Sequence, residues 1–452
     1  MWVFEVLANR VYRHLFLAQV IALVGTGLAT VALGLLAYDL AGGNAGAVLG
    51  TALAIKMVAY ILVAPIAGAF ADRVPRKALL VALDLVRAGV AVFLPFVSEV
   101  WQIYVLIFVL QSASAAFTPT FQATIPDVLP QERDYTRALS LSRLAYDMET
   151  LTSPVLAAAL LTVINFHWLF SGTALGFLAS AALVVSSGLP SLVSQSTAVR
   201  DGIYAKTTRG IRIYLRTPRL RGLLAVTLSA AAASAMVIVN TVVIVRALGL
   251  GQREVAITLA AYGGGSMLAA FALPRILDRF SDRRVMLIAS VALAILLAGL
   301  AAAGLTAPGH SLAWPVILIG WPFLGMAYAA SITPSGRLIK RSANAEDRPA
   351  LFAAQFALSH VCWLIAYPLA GQLGAASGLS AAFAAMAGLA AFGTVAALLV
   401  WPARDATTVE HNHDDLPADH PHRLQGGHPS GAQWGGPIRS LVRARAKFST
   451  DR

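Results

Sequence analysis

The sequence is poor in cysteine and in charge. Cys362 is the single cysteine among 452 residues, which excludes an intrachain disulfide, and charged residues make up only 12% of the chain. Hydrophobic residues make up 58%. A water-soluble domain of this length could not cover so much apolar surface with polar side chains. The composition therefore indicates an integral membrane protein.

The sequence motifs of several enzyme classes are also missing. The chain has no G-x-S-x-G, no G-x-x-x-x-G-K-S/T and no H-E-x-x-H. We therefore expect no catalysis, no ATP consumption and no prosthetic group. Residues 2–14 lack the short apolar core and small-residue cleavage site of a secretory signal, so the first span is expected to act as an uncleaved insertion signal.

Long apolar runs dominate the chain. A membrane-spanning helix needs about 20 apolar residues, and continuous runs rich in Leu and Ala are typical of helices rather than of barrel strands. The sequence predicts an all-α, polytopic membrane protein with twelve transmembrane helices, at 15–38, 45–67, 78–97, 101–123, 141–165, 168–189, 222–245, 254–274, 285–306, 313–333, 349–373 and 378–401.

Basic residues are concentrated on one side of these spans. If the N-terminus is cytoplasmic, the outside loops hold only Arg246 and Arg253. By the positive-inside rule, both termini are then expected in the cytoplasm. This asymmetry accounts for the formal charge of +12 without a nucleic-acid partner.

The longest internal polar stretch divides the spans six and six. We predict an N-terminal six-helix bundle at 1–189, a basic cytoplasmic linker at 190–221 and a C-terminal six-helix bundle at 222–402. The composition becomes polar after Trp401, so residues 403–452 are predicted to form a disordered cytoplasmic tail.

Charged residues inside spans are costly and are therefore functional candidates. Lys56, near the middle of span two, must pair, deprotonate or face water, and a span-five carboxylate would be its partner in a coupling switch or a permanent bridge. Asp147 shares a helix face with Arg143, which favours a structural ion pair. Glu149 points elsewhere and could bind a cation or exchange a proton. His360 in span eleven is a substrate-ligand candidate, or else a histidine bonded to a neighbouring helix.

Two further patterns predict helix packing. Asp84 and Arg87 lie three residues apart in span three and are interpreted as a structural ion pair. Gly42, Gly46 and Gly50 form a ridge of small residues at the start of span two, which favours close helix contact rather than ligand binding.

The tail contains a histidine cluster. Five of the nine histidines of the chain fall within eighteen residues of the tail, interleaved with acidic residues. Imidazole suits Ni, Zn, Cu and Fe, so the cluster predicts metal capture without choosing the metal. The alternative is a solvated, weakly selective polar tail. The five residues are His411, His413, His420, His422 and His428.

One polar loop resembles a family signature. The segment Gly68-Ala-Phe-Ala-Asp72-Arg73-Val-Pro-Arg76-Lys77 is similar to the G-x-x-x-D-R-x-x-R-R/K loop between helices two and three of major facilitator transporters. The resemblance implies a gating loop whose charges latch one side of an alternating-access cycle.

Two other segments extend the resemblance to this family. Residues 274–284 repeat an Asp-Arg followed by Arg-Arg after span eight, although the leading glycine is missing. Residues 117–130 resemble the P-x-x-x-x-x-x-P-D-L-V-P stretch of the twelve-helix drug and siderophore exporters. The pseudo-repeat fits the two parallel halves of the major facilitator fold, and the second segment implies efflux.

With its histidine-rich tail, the chain resembles the nickel-resistance exporters of this superfamily. The resemblance implies a multi-pass, monomeric protein of the bacterial cytoplasmic membrane, in contact with lipid, that exports Ni(II) or a related divalent metal in exchange for protons. Glu149, Asp147 and His360 would be transport-site residues, with Glu149 and His360 as metal ligands, and Lys56 would be a coupling residue. The alternatives are efflux of an organic drug, metal chelate or siderophore, and a membrane metal sensor or buffer that transports nothing.

Overall fold

The protein is helical throughout the part of the chain that the structure describes. The structure is a computed structural model and describes residues 2–70, 74–189, 203–303, 313–342 and 348–403. Fourteen α-helices and three short 3-10 helices account for the regular structure of these ranges. The all-α prediction is confirmed.

The helix bounds follow the apolar runs closely. The first half contains α1 (Arg10–Ala41), α2 (Ala45–Phe70), α3 (Arg76–Phe93), α4 (Val100–Val128), α5 (Glu132–Leu161) and α6 (His167–Ser186). The second half contains α7 (Ile203–Arg216), α8 (Pro218–Ala247), α9 (Gln252–Arg279), α10 (Asp282–Ala302), α11 (Ala313–Ile332), α12 (Ser335–Ser342), α13 (Arg348–Ser377) and α14 (Leu379–Val400).

Several helix ends have an identifiable local cause. The Asn9 side chain accepts a hydrogen bond from the backbone N–H of Tyr12, 3.1 Å away, and so caps α1. The Ser281 hydroxyl accepts one from the Arg284 N–H at 3.3 Å and caps α10. Between α13 and α14 the chain reverses at Gly378, whose φ of 87° favours glycine.

Ten segments of the described chain are long and apolar enough to cross a membrane. The first of them, 10–63, includes both α1 and most of α2. Helix α5 is not among them because it carries charged residues along much of its length. The structure thus supports a polytopic membrane protein, and the count of twelve spans stays a prediction.

The two halves repeat one packing pattern. In the first half, α1 packs against α5 and α6, α2 against α4, and α3 against α4 and α6. In the second half, α8 packs in the same way against α13 and α14, α9 against α11, and α10 against α11 and α14. Helices α1 to α6 therefore correspond in order to α8, α9, α10, α11, α13 and α14, as in a duplicated bundle. The halves meet where α2 packs against α13 and α5 against α9.

The α2–α13 contact is closest where both helices carry glycine. We call the end of the bundle where α1 begins the proximal end, and the end where α1 meets α2 the distal end. Near the distal end, a Cβ at Gly50 would lie 2.5 Å from the Tyr367 carbonyl oxygen, and one at Gly371 would lie 2.1 Å from the Gly46 carbonyl oxygen. The packing role predicted for Gly46 and Gly50 is confirmed. Gly42 has no such contact and lies in the turn between α1 and α2, with φ of 52°.

Polar contacts also lie at the distal end, one within the second half and one between the halves. The Asn240 amide of α8 donates to the Ala370 carbonyl oxygen of α13 at 3.1 Å and is almost fully buried. The Gln372 amide donates to the Thr51 hydroxyl at 3.3 Å. Together with the glycine contacts, these bonds close the distal end of the interface between α2, α8 and α13.

Candidate transport site

The structure places Lys56 and Glu149 at a similar depth. Lys56 lies eleven residues after the start of α2, and Glu149 lies twelve residues before the end of α5. The start of α2 and the end of α5 both lie at the distal end of the bundle. At 1.5 Å per residue, both lie roughly 17 Å from the distal helix ends. Glu149 is near enough to Lys56 to act on it electrostatically. A cation and a carboxylate thus occupy the middle of the bundle, where charge is most costly.

Helix α1 leaves room for the Glu149 carboxylate by carrying a glycine. The Ser153 hydroxyl, one turn along α5, donates to Glu149 Oε1 at 3.4 Å. A Cβ at Gly27 of α1 would lie 1.9 Å from Ser153 Oγ and 2.7 Å from Glu149 Oε1. These distances are too short for any other residue at position 27 without a shift of α1 or α5.

Gly27→Ala is therefore expected to displace the Ser153 and Glu149 side chains and to lower transport. Overpacking of this kind typically costs about 1–3 kcal/mol, so the thermal midpoint of the purified protein should also fall. The matched variant Gly27→Ala with Ser153→Gly removes the two atoms nearest to the new methyl group and should recover much of the loss. Equal transport by Gly27→Ala and the original chain would contradict this account of the site.

The second half presents tyrosines to this region. Tyr367 of α13 lies within electrostatic range of both Glu149 and Tyr328. The rings of Tyr262 and Tyr328, in α9 and α11, have centroids 6.1 Å apart, and all three tyrosines are less than a tenth exposed. The sequence analysis did not select them. Their only signal in the sequence is a phenol inside an otherwise apolar span.

His360 lies at the α2–α13 contact. Its ring stacks on Tyr60 with centroids 5.2 Å apart, and its Nδ1 lies 2.6 Å from the Phe356 carbonyl oxygen. A carbonyl oxygen only accepts, so this contact needs a proton on Nδ1. His360 therefore links the two halves through its ring contact with Tyr60.

A complete metal site is not assembled within the described side chains. No group of three or more His, Cys, Asp and Glu residues in this part of the chain could hold a metal ion. The side chains of Arg143 and Asp147, and the tail residues His411, His413, His420, His422 and His428, lie outside the described part.

The predicted pair in α3 is present and buried. The Arg87 guanidinium bonds to the Asp84 carboxylate, which also accepts a hydrogen bond from the Ser180 hydroxyl of α6 at 2.8 Å. The guanidinium lies over the rings of Phe117 and Phe177, at 4.2 and 4.6 Å from their centroids. These contacts tie α3 to α4 and α6, which agrees with a structural role.

The gating loop is shorter than the sequence predicts. Gly68 belongs to α2, while Arg76 and Lys77 begin α3, so only residues 71–75 connect the helices. Two apolar helices extend into the polar motif because their backbone bonds continue past the last apolar side chain. The Arg76 guanidinium bonds to the Asp127 carboxylate near the end of α4. Asp72 and Arg73 lie outside the described residues.

The sequence of this protein matches a known family along most of its length. The profile of the Major Facilitator Superfamily aligns with residues 15–320 and 222–445. The chain belongs to the Major Facilitator Superfamily. The members of this family are membrane transporters, as the resemblance of the chain to major facilitator transporters implied.

Its curated relatives include efflux proteins. Macrolide efflux protein A of Enterococcus faecalis is 23% identical over 188 residues, which is 39% of this chain and 58% of that protein. Multidrug resistance protein MdtG of Salmonella heidelberg (strain SL476) is 31% identical over 168 residues, 36% of this chain and 41% of that protein. The uncharacterised MFS-type transporter YfiS of Bacillus subtilis (strain 168) is 26% identical over 162 residues, 35% and 39% of the two chains. The chain thus matches less than two thirds of the length of each.

Solved transporter structures share the fold. The nucleoside transporter NupG superposes with a TM-score of 0.65 over 87% of this chain and 100% of that chain, at 14% identity. A bacterial homologue of the human lysosomal transporter Spinster, inward-facing and unoccupied, superposes with a TM-score of 0.63 over 87% and 98%, at 14% identity. Sequence identities this low show only that the fold is shared.

Proposed function

We propose that this chain is a secondary exporter that moves divalent metal, namely Ni(II), out of the cytoplasm in exchange for protons. The observation that carries the proposal is that Glu149 lies at the same depth as Lys56 and within electrostatic range of it. Ionisable residues inside a membrane protein mark ion and proton pathways. Substrate would enter from the proximal end, which the distribution of basic residues assigns to the cytoplasm.

The Lys56 and Glu149 pair supplies a means of coupling. A carboxylate can hold a proton or help to bind a metal cation, but it gains little from holding both at once. Loading of the cation therefore expels the proton, and a proton entering from outside expels the cation. The Lys56 ammonium balances Glu149 while neither is bound, which keeps the empty carrier near neutrality and able to return.

The metal assignment rests on the histidines of the tail. Imidazole binds Ni(II) well, and a cytoplasmic tail with five histidines would concentrate the ion near the proximal entrance. Within the bundle, Glu149 and His360 are the ligands we assign, with Asp147 as the further carboxylate of α5.

Efflux of an organic cation is the second candidate. The relatives of this chain are described as macrolide and multidrug efflux proteins. Buried Tyr262, Tyr328 and Tyr367 near one carboxylate could hold an aromatic or cationic compound through ring stacking and cation–π contact. The described residues contain no group of three His, Cys, Asp or Glu side chains that could hold a metal ion.

The deciding experiment measures cellular metal content by mass spectrometry. A metal-sensitive bacterium expressing the full chain, and the same strain with empty vector, are challenged separately with Ni, Co, Zn, Cu and Fe salts. Selective loss of Ni, or of Ni and Co, supports the metal exporter. Unchanged metal levels with the protein confirmed in the membrane would overturn it, and a drug-susceptibility panel would then test the organic substrate. Metal binding without net flux in vesicles would identify a sensor or buffer.

Deletion of residues 411–428 is expected to raise the Ni(II) concentration needed for half-maximal export by about tenfold, because multidentate capture by histidine clusters is lost. The maximal rate should change little, since the proposed ligands of the bundle, Glu149 and His360, stay in place. Replacing the same five histidines with asparagine keeps the tail length and should reproduce the effect. An unchanged concentration dependence would exclude the tail from transport.

A further inference from the structure

The two halves carry corresponding ion pairs with opposite charges. In the first half, Arg76 is the ninth residue counted from Gly68 and the first residue of α3. In the second half, Asp282 is the ninth residue counted from Pro274 and the first residue of α10. Since α10 corresponds to α3 in the packing pattern, Asp282 is the structural counterpart of Arg76. The sequence comparison had instead matched the Arg-Arg of residues 283–284 with Arg76 and Lys77.

The partners of these two residues also correspond. Arg76 bonds to Asp127, near the end of α4. Asp282 lies 2.9 Å from Arg341 and 3.4 Å from Arg337, both in α12, which follows α11 after two residues. Helix α11 is the counterpart of α4. The first half therefore joins the start of its third helix to the end of its fourth, and the second half joins the start of its third helix to the short helix that follows its fourth. The positions of cation and carboxylate are exchanged.

The dipoles of α10 and α12 explain why the second half is stable with the carboxylate on α10 and the cations on α12. The positive end of the helix dipole favours a carboxylate at the first residue of α10, and Ser281 caps the same end. The negative end of α12 favours the cations of its last turn. Asp282 is only 3% exposed, whereas Arg337 and Arg341 are 43% and 57% exposed. The buried partner thus determines where the two flexible arginines lie.

The pair also explains why α12 exists as a separate short helix. Leu338 and Ile339 are buried in the second half, and the cations face outward. A helix of eight residues has little stability by itself. Two apolar side chains and the contacts to Asp282 hold it across the proximal end of the bundle.

We propose that Asp282, together with Arg337 and Arg341, is a charge-reversed latch that positions α12 and keeps α10 and α11 moving as one body during alternating access. Asp282 is a positioning residue in this account, with no contact to substrate. The inference rests on the chain being a transporter, which its family shows, and not on the identity of the substrate.

Cysteine labelling tests the latch without a substrate. In a Cys362→Ser background, Ser335→Cys reports on α12, because Ser335 is only 7% exposed, and Thr51→Cys reports on the distal contact between the halves. Each reporter is labelled with a soluble maleimide, with and without Asp282→Asn. The substitution should change both labelling rates by about tenfold, as expected for loss of hydrogen bonds to a charged group. Faster labelling of Ser335→Cys with an unchanged rate at Thr51→Cys would show a purely local role and overturn the proposal.

A variant with the charges exchanged distinguishes loss of the latch from a general folding defect. Asp282→Arg with Arg337→Asp and Arg341→Asp gives the second half the polarity of the first, and it should restore both labelling rates and export per folded molecule. Failure of this variant to restore either rate, with the protein folded, would overturn the latch. Where Asp282→Asn does not fold, Arg337→Gln with Arg341→Gln breaks the same contact from the exposed side.

A matched control lies on the same helix. Lys340 is adjacent to Arg341, has the same charge and is exposed, and its side chain is not among the described contacts of Asp282. Lys340→Gln should leave both labelling rates and export unchanged. Export measurements on the latch variants are made with the substrate that the original chain is shown to transport, so failure of the nickel proposal leaves the labelling results interpretable.

Discussion

Export by the Glu149→Gln variant is expected to fall to the level of the empty vector, because the proposed cycle needs a side chain at this position that can hold a proton or a cation. Glutamine keeps the shape of the side chain and its hydrogen bond with Ser153, but it can no longer bind a proton or balance a cation. Lys56 is then left without the carboxylate that acts on it. Uptake of substrate into inverted vesicles, normalised to folded protein, measures the loss.

A double variant separates transport from folding. Lys56→Met with Glu149→Gln removes both charges, and neutral replacement of a buried pair is often tolerated by the fold. This variant is expected to reach the membrane and unfold at a temperature close to that of the original chain, yet to transport no substrate against a gradient. Coupled export at the original rate in either variant would remove Glu149 from the mechanism and direct attention to other groups of the bundle.

Gly371→Val is expected to abolish net transport and to leave the distal end open. The new Cβ would lie 2.1 Å from the Gly46 carbonyl oxygen, and a backbone atom cannot move aside as a flexible side chain can. Helices α2 and α13 must then separate, which also weakens the bond of Gln372 to Thr51. The maleimide labelling rate at Thr51→Cys, measured from the distal side, should rise by about tenfold or more if the closed state loses about 1–3 kcal/mol to overpacking.

The control for this variant is Gly388→Val. Gly388 lies in the neighbouring α14, where no heavy atom outside the local backbone comes within 4 Å of a built Cβ. It adds the same side chain to a long helix and should leave export and labelling unchanged. Normal export by Gly371→Val would mean that the distal contact does not need to close during the cycle.

The helical elements could be predicted because their cause is local. A run of about 20 apolar residues becomes a helix in lipid, since every backbone N–H and C=O must be satisfied within the segment. The predicted start of α2 at residue 45 agrees with the structure. The end of α2 was predicted at residue 67 and lies at Phe70, because helical hydrogen bonding does not stop at the first polar residue.

The candidate site could be predicted only in part. Lys56 and Glu149 were selected because charge is rare and costly inside a span, and the structure then brought them within electrostatic range. Gly27 could not be selected from the sequence, since a glycine in an apolar run is common. It matters because α5 packs closely against α1 at this point, and that contact exists only in the folded chain. The tyrosines of α9, α11 and α13 were missed for the same reason.

The sequence by itself determined that the chain is helical, belongs in a membrane, carries intramembrane charge and bears a loop of the major facilitator type. Composition and short motifs record these properties because they depend on the solvent around each segment. Only the tertiary structure decided which charges meet, that Gly46 and Gly371 close the distal end, and that Asp282 rather than Arg283 corresponds to Arg76. Those pairings join residues up to hundreds of positions apart, and helix packing, not local preference, selects them.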